Sequence, residues 1–190
     1  MIAVLCAIVV KFILLGSSPS QAPHQESRPI AKDASPYAFP PDVAAGLEDT
    51  ESLVIYLVGV RPQASAGQSG EEETFHGYTV FGSARVTSPR AVQSIIGSLL
   101  RGVEHQGEVM ACFYPRHGVR ASLRDGRQID LVICYLCGYM RVYVAREGME
   151  PTTTMNEVRT ADDSRQPLNE VLRAAGVDLK QKVAQFWPEP

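Results

Sequence analysis

The segment VRASLRDGRQIDLVI, residues 119–133, constrains the fold more than any other, because it can pair with itself in few ways. Asp125-Gly126 is a strong reverse-turn signal, since glycine tolerates the positive φ that tight hairpins demand. A two-residue loop would set Val119 against Val132 but Leu131 against Arg120. A three-residue loop, Arg124 to Gly126 with a bulge at the glycine, pairs Leu123 with Arg127, Ala121 with Ile129 and Val119 with Leu131. Only the second register gathers the apolar residues on one face, which a half-buried sheet requires. It leaves Arg120, Ser122 and Asp130 on the other face, where Asp130 is expected to meet solvent.

The flanking chain supplies the rest of a layer. LVIYLVGV, beginning at Leu53, is a short apolar run rich in β-branched residues, the pattern of a buried strand. A polar connection, 61–74, follows. YTVFGSARV alternates, with Tyr78, Val80, Gly82, Ala84 and Val86 expected on one face. The clearest helix starts at Ser88-Pro89, a capping residue followed by a proline suited to the first helical position. Val92, Ile95, Ile96, Leu99, Leu100 and Val103 form one stripe along it, with Gly102 and Gly107 expected to help end it. YMRVYVA continues the meander, 147–167 reads as loop, and Leu168, Val171, Leu172 and Ala175 mark a last helix. The tail FWPEP is expected to dock Phe186 and Trp187 on the domain. The order strand, strand, helix, three strands, helix predicts an α+β fold: an antiparallel sheet with its helices packed on one face.

The two ends of the chain differ in kind. Residues 1–22 carry an apolar stretch, Ile2 to Gly16, interrupted by Lys11 and followed by small polar residues. It is shorter than the roughly 20 apolar residues of a comfortable membrane span, so it reads as a signal peptide, with an uncleaved N-terminal anchor as the alternative. Residues 23–50 contain Pro23, Pro29, Pro36, Pro40 and Pro41 among alanines and serines, which predicts an extended tether. The domain is then expected over 51–190. The 45% hydrophobic content of the 190 residues suffices for a core without metal or disulfide help. The net charge of −3 lacks the basic footprint of a nucleic-acid binder. Arginines nevertheless cluster between Arg85 and Arg146, and Arg116 is the candidate to clamp a carboxylate or phosphate; a solvated sheet face is the plainer reading.

Removal of the leader takes Cys6 with it and leaves three cysteines, an odd number, for an oxidising compartment. The hairpin register brings Cys112 opposite Gly138, beside Cys137, and His117 opposite Ile133, beside Cys134. Three readings follow. Cys112 and Cys137, on neighbouring strands, can form a disulfide and leave Cys134 as a buried thiol. Alternatively Cys112, His117, Cys134 and Cys137 supply a tetrahedral zinc set, with Cys134-x-x-Cys137-Gly138 as its knuckle, although the two sulfurs share a face only if a turn separates them. Redox chemistry comes last, because C-x-x-C here lies between strands, without a helix N-terminus to favour a thiolate. His117 is equally well read as a turn histidine beside Pro115, and nothing marks His76 or His105 as ligands.

CFYPRHGVR followed by DLVICYLCGYMRVYV resembles a C-F-x-P-R-H, hairpin, I-C-x-x-C pattern found in a family of bacterial exported or membrane-anchored proteins. The resemblance covers residues 109–144 and implies a coherent unit; it carries no activity with it. No G-x-S-x-G and no Gly-rich phosphate loop occurs. The expectation is an exported cell-envelope domain with a binding or structural role, attached to a membrane, if at all, through its N-terminus only. A metal- or thiol-dependent enzyme or sensor built on the Cys/His patch is the alternative, with zinc the one cofactor in view.

Overall fold

A computed structural model describes residues 38–59, 73–104, 112–146, 149 and 152–180. The leader, the first part of the tether, most of the 61–74 connection, His105, Gly107 and the FWPEP tail lie outside the described residues. Three helices and seven strands follow in the order α1 (Pro41–Glu48), β1 (Thr50–Gly59), β2 (Thr74–Phe75), β3 (Tyr78–Val86), α2 (Pro89–Glu104), β4 (His117–Leu123), β5 (Arg127–Cys134), β6 (Tyr139–Arg146), β7 (Thr152–Arg159) and α3 (Arg165–Ala174). The strands make one antiparallel sheet, ordered β2-β3-β1-β4-β5-β6-β7. This is the α+β class expected, and no described helix is long and apolar enough to cross a membrane.

The β4–β5 hairpin adopts the bulged register. Val119 pairs with Leu131 and Ala121 with Ile129, while Gly126 takes φ 79° and its N–H closes the turn onto Leu123 O. One face of the sheet accordingly carries Leu53, Ile55 and Leu57 of β1, then Val119, Ile129, Leu131, Ile133, Met140 and Val142. Against it pack Val43 and Leu47 of α1, the α2 stripe Val92, Ile95, Ile96 and Leu99, and Leu168 and Leu172 of α3. All three helices therefore cover the same face, as the sequence pattern predicts.

Several boundaries differ from expectation, each for a local reason. Residues 41–48, placed in the tether, form α1. Its prolines mark a helix start rather than extended chain, because Pro41 occupies the first turn, where no N–H is needed. Phe39, Val43 and Leu47 then fall four apart and face the core. Contrary to the loop expected over 147–167, Thr152–Arg159 forms β7, which among the described residues pairs only with β6. An edge strand needs only one ladder, and β-branched threonines suit it despite their polarity. Gly102 does not end α2, which runs on to Glu104; instead its carbonyl accepts the Ala161 N–H at 2.8 Å. A Cβ there would sit 3.3 Å from Thr160 Oγ1, so the glycine admits the returning chain.

The expected single face of β3 is also corrected. Leu57 pairs with Gly82 but Val58 pairs with Val80, leaving Phe81 as an extra, bulged residue. Gly82, Ala84 and Val86 keep the helix-side phase, whereas Tyr78 and Val80 join a second cluster with Tyr56, Val58, Phe75 and Val132. A bulge bends its strand, and the short β2–β3 hairpin folds over the face that the helices leave open. Its turn uses His76 (φ 50°) and Gly77 (φ 82°), two successive positive values that a two-residue hairpin of this hand demands. Phe75 stacks on Tyr56 with ring centroids 4.6 Å apart and lies over Gly118.

A Cβ on Gly118 would stand 2.7 Å from the Phe75 ring, closer than carbon atoms approach. Gly118→Ala should therefore cost about 1–3 kcal/mol by overpacking, measured by urea denaturation. The same change in a Phe75→Ala background should be nearly free. An equal cost in both backgrounds would mean that Phe75 is not what fills the space above Gly118.

Candidate functional site

Cys112, Cys134 and Cys137 meet where β5 turns into β6. Residues 135–138 form a tight turn, closed by the Gly138 N–H onto Tyr135 O, with Gly138 at φ 70°. That turn lets Cys134 and Cys137 approach one another, and the Cys137 N–H donates to Cys134 Sγ at 3.2 Å. Cys112 arrives from the segment before β4, its Sγ 3.0 Å from Cys137 Sγ. Aromatic packing places that segment. Phe113 stacks on Tyr139 (centroids 4.9 Å apart) and under the Arg141 guanidinium at 4.2 Å, while Tyr139 Oη donates to Cys112 O at 3.1 Å. Pro115 is buried, and beyond it the Arg116 N–H donates to Ile133 O.

Cys134 and Cys137 are fully buried, whereas Cys112 is partly exposed. The hydrogen bond to Cys137, then burial, holds the Cys112 thiol above its ordinary pKa; burial does the same for Cys137.

His117 does not join them. The register sets it opposite Ile133 as expected, but side chains alternate along a strand, so it takes the helix face while Cys134 takes the other. Its Nε2 lies 2.8 Å from Asn169 Oδ1 of α3, and its ring meets Tyr135 edge-on, with Tyr135 Oη 2.7 Å from Ser164 Oγ. Burial pushes the imidazole down to about 4 against the lift from Asn169, and the Arg116 and Arg165 charges add to the fall. The four-residue set Cys112, His117, Cys134 and Cys137 thus does not converge. Among the described residues, no group of three or more His, Cys, Asp or Glu is arranged to hold a metal ion. Arg116 turns its Nη2 to the Leu179 carbonyl at 2.9 Å, and its buried Nε has no partner among the described residues. Burial, with Arg165 nearby, lowers its pKa.

A second polar centre lies on the open face. Asp130, expected at the surface, is only 1% exposed, because the β2–β3 hairpin covers it. Arg120 of the paired position grips both its oxygens, at 3.0 and 2.9 Å; His76 Nε2 lies 2.8 Å from Oδ2 and Gln128 adds a 3.3 Å contact. His76 is itself stacked on Tyr143, centroids 3.8 Å apart. The carboxylate is thereby consumed in holding the hairpin down. Half of this centre is readable in the sequence, since the bulged register sets Arg120 directly across from Asp130. His76 has a fainter signal, the His-Gly pair between Phe75 and Tyr78 that marks a two-residue turn.

No protein family matches this chain, and neither do curated proteins or solved structures. At the site two thiols are in contact and the sulfur of a third, at the end of β5, accepts the Cys137 N–H.

Two measurements check these assignments. Asp130→Ala leaves Arg120 and His76 without their buried acceptor and should destabilise the domain by about 3–5 kcal/mol in chemical denaturation. The His117 imidazole, neutral when folded, gives the opposite of a salt-bridged histidine's dependence. Between pH 6.5 and about 4 the unfolded chain binds the proton and the folded one does not, so stability falls as pH falls through that window. The loss is on the order of 3 kcal/mol, and His117→Gln should flatten it relative to wild type; parallel pH profiles would refute the assignment.

Proposed function

We propose that this chain is an exported domain of the cell envelope with a binding or structural role, closed on its open face by a Cys112–Cys137 disulfide. The observation that carries the reading is the 3.0 Å contact between those two sulfurs, which joins the segment before β4 to the β5–β6 turn. An oxidising compartment, which the apolar leader points to, favours the bond. Closing the loop between residues 112 and 137 constrains the unfolded chain by about 3–4 kcal/mol on the chain-entropy account. The packed polar groups support a structural role too, since Asp130 is saturated by neighbours and His117 is held neutral beneath α3.

The second reading, a thiol-dependent enzyme or sensor, draws its support from one further observation, the third sulfur beside the pair. A zinc-dependent version is less favoured, because His117 and the cysteines occupy opposite faces.

Thiol counting and metal analysis on the full chain, carrying Cys6→Ala so that three thiols report, separate these readings. One free thiol under oxidising conditions, a Cys112–Cys137 link in the peptide map of the chain sampled as the first bridge forms, and a melting temperature that falls on reduction are expected. Three free thiols after oxidation, or one bound zinc per chain, would overturn the proposal.

A further inference from the structure

One disulfide leaves a sulfur over, and the leftover sulfur is not placed at random. The Cys137 thiol has two sulfur neighbours. Cys112 Sγ lies 3.0 Å from its sulfur, and Cys134 Sγ accepts the Cys137 N–H at 3.2 Å. The three sulfurs therefore form a chain with Cys137 in the middle, able to bond to either side but to one at a time. Both bonds are sterically reasonable. The Cys134 sulfur lies 3.2 Å from the Cys137 nitrogen, a proximity that suits the roughly 4.4–6.8 Å between Cα atoms of a disulfide. The chain also runs from outside to inside. Cys112 is partly exposed and Cys137 and Cys134 are fully buried, while Tyr114, two residues after Cys112, and Leu136, next to Cys137, expose apolar side chains.

We propose that Cys112, Cys137 and Cys134 form a disulfide relay, in which an external disulfide enters at Cys112 and ends as a buried Cys134–Cys137 bridge. This rests on the Cys112–Cys137 bond of the reading above, which becomes its middle state. In the first step the Cys112 thiolate attacks a disulfide R–S–S–R, forming Cys112–S–S–R and releasing R–S⁻, which takes up a proton. In the second, the Cys137 thiolate attacks Cys112 Sγ, forming the Cys112–Cys137 bond and releasing a second R–SH. In the third, the Cys134 thiolate attacks Cys137 Sγ; the Cys134–Cys137 bond forms and Cys112 leaves as a thiol. The two electrons given up by Cys134 and Cys137 reduce the external disulfide, and Cys112 is returned unchanged. Such exchange requires thiolates, and here burial and hydrogen bonding hold the Cys112 and Cys137 thiols up, so the relay speeds up as pH rises. The substrate class is a disulfide, of a protein or a small molecule, with apolar groups to meet Tyr114 and Leu136.

The test uses the full reduced chain carrying Cys6→Ala, with glutathione disulfide as probe, acid quenching, alkylation and tryptic mapping over time. Cleavage after arginine puts Cys112 in peptide 102–116 and both other cysteines in peptide 128–141, so the two bridges differ in mass pattern. The expected course is a glutathione adduct on Cys112, then a link between the two peptides, then a disulfide internal to 128–141 with Cys112 alkylatable again. Cys134→Ser should stop at the linked peptides, and Cys112→Ser should slow oxidation at least about tenfold, since only buried thiols remain. A final product that keeps the inter-peptide link with Cys134 still free overturns the relay and leaves the Cys112–Cys137 closure standing. Cys112→Ser oxidising at the wild-type rate also overturns it. No bridge to Cys137 at any time sinks both. The wild-type time course decides between these outcomes even if a variant fails to fold.

Discussion

The pairing register of β4 with β5 is the constraint on which the rest hangs. A three-residue turn with glycine at φ 79° fixes it, and the period of two then assigns every side chain on both strands. Val119, Leu131 and Ile133 go under the helices, and Arg120 and Asp130 go to the other side as a facing pair. His117 is sent to α3 and Cys134 away from it by the same alternation. A slip of one residue would bury the ion pair beneath α2 and α3 and turn the apolar set outward. The sulfur cluster inherits its place from this ladder, because the β5–β6 turn begins where β5 runs out at Cys134.

What could be read in advance follows from how local each cause is. Hairpin register, the α2 stripe and the apolar run of β1 are set by neighbours in sequence, and all three are legible there. The surprises each involve a distant partner. Prolines 40 and 41 look like tether until Val43 and Leu47 find the core. The threonines of β7 look like loop until β6 offers a free edge. Phe81 reads as one more alternating residue, and only the pairing with β1 exposes it as a bulge. Asp130 looks solvent-facing because the hairpin that covers it, with Phe75 and His76, lies more than 50 residues upstream. The candidate site divides in the same way. Register was enough to put Cys112 beside Cys137, but the separation of His117 needed the alternation to be carried one residue further.

The sulfur cluster and the ion-pair cluster sit on the same open face yet are built by opposite means. Asp130 is surrounded by donors until nothing is left for it to do, which is how a buried charge becomes structural. Cys137 has more partners than it can use at once. Its sulfur faces Cys112 Sγ at 3.0 Å while its N–H is held by Cys134 Sγ at 3.2 Å. The aromatic ledge of Phe113, Tyr139 and Arg141 holds the Cys112 segment against Cys137.

The two faces of the sheet are closed in ways that differ in their tolerance of change. The helix side is shut by many apolar contacts spread over three helices, and such a surface can trade one methyl group for another. On the other side the Phe75 ring sits where Gly118 has no side chain, with His76 beside it on Asp130. Gly118 is thus a keyhole, and Phe75 a key cut for it. Substitutions should accumulate freely under the helices over evolutionary time, whereas residues 75, 76, 118 and 130 can drift only together.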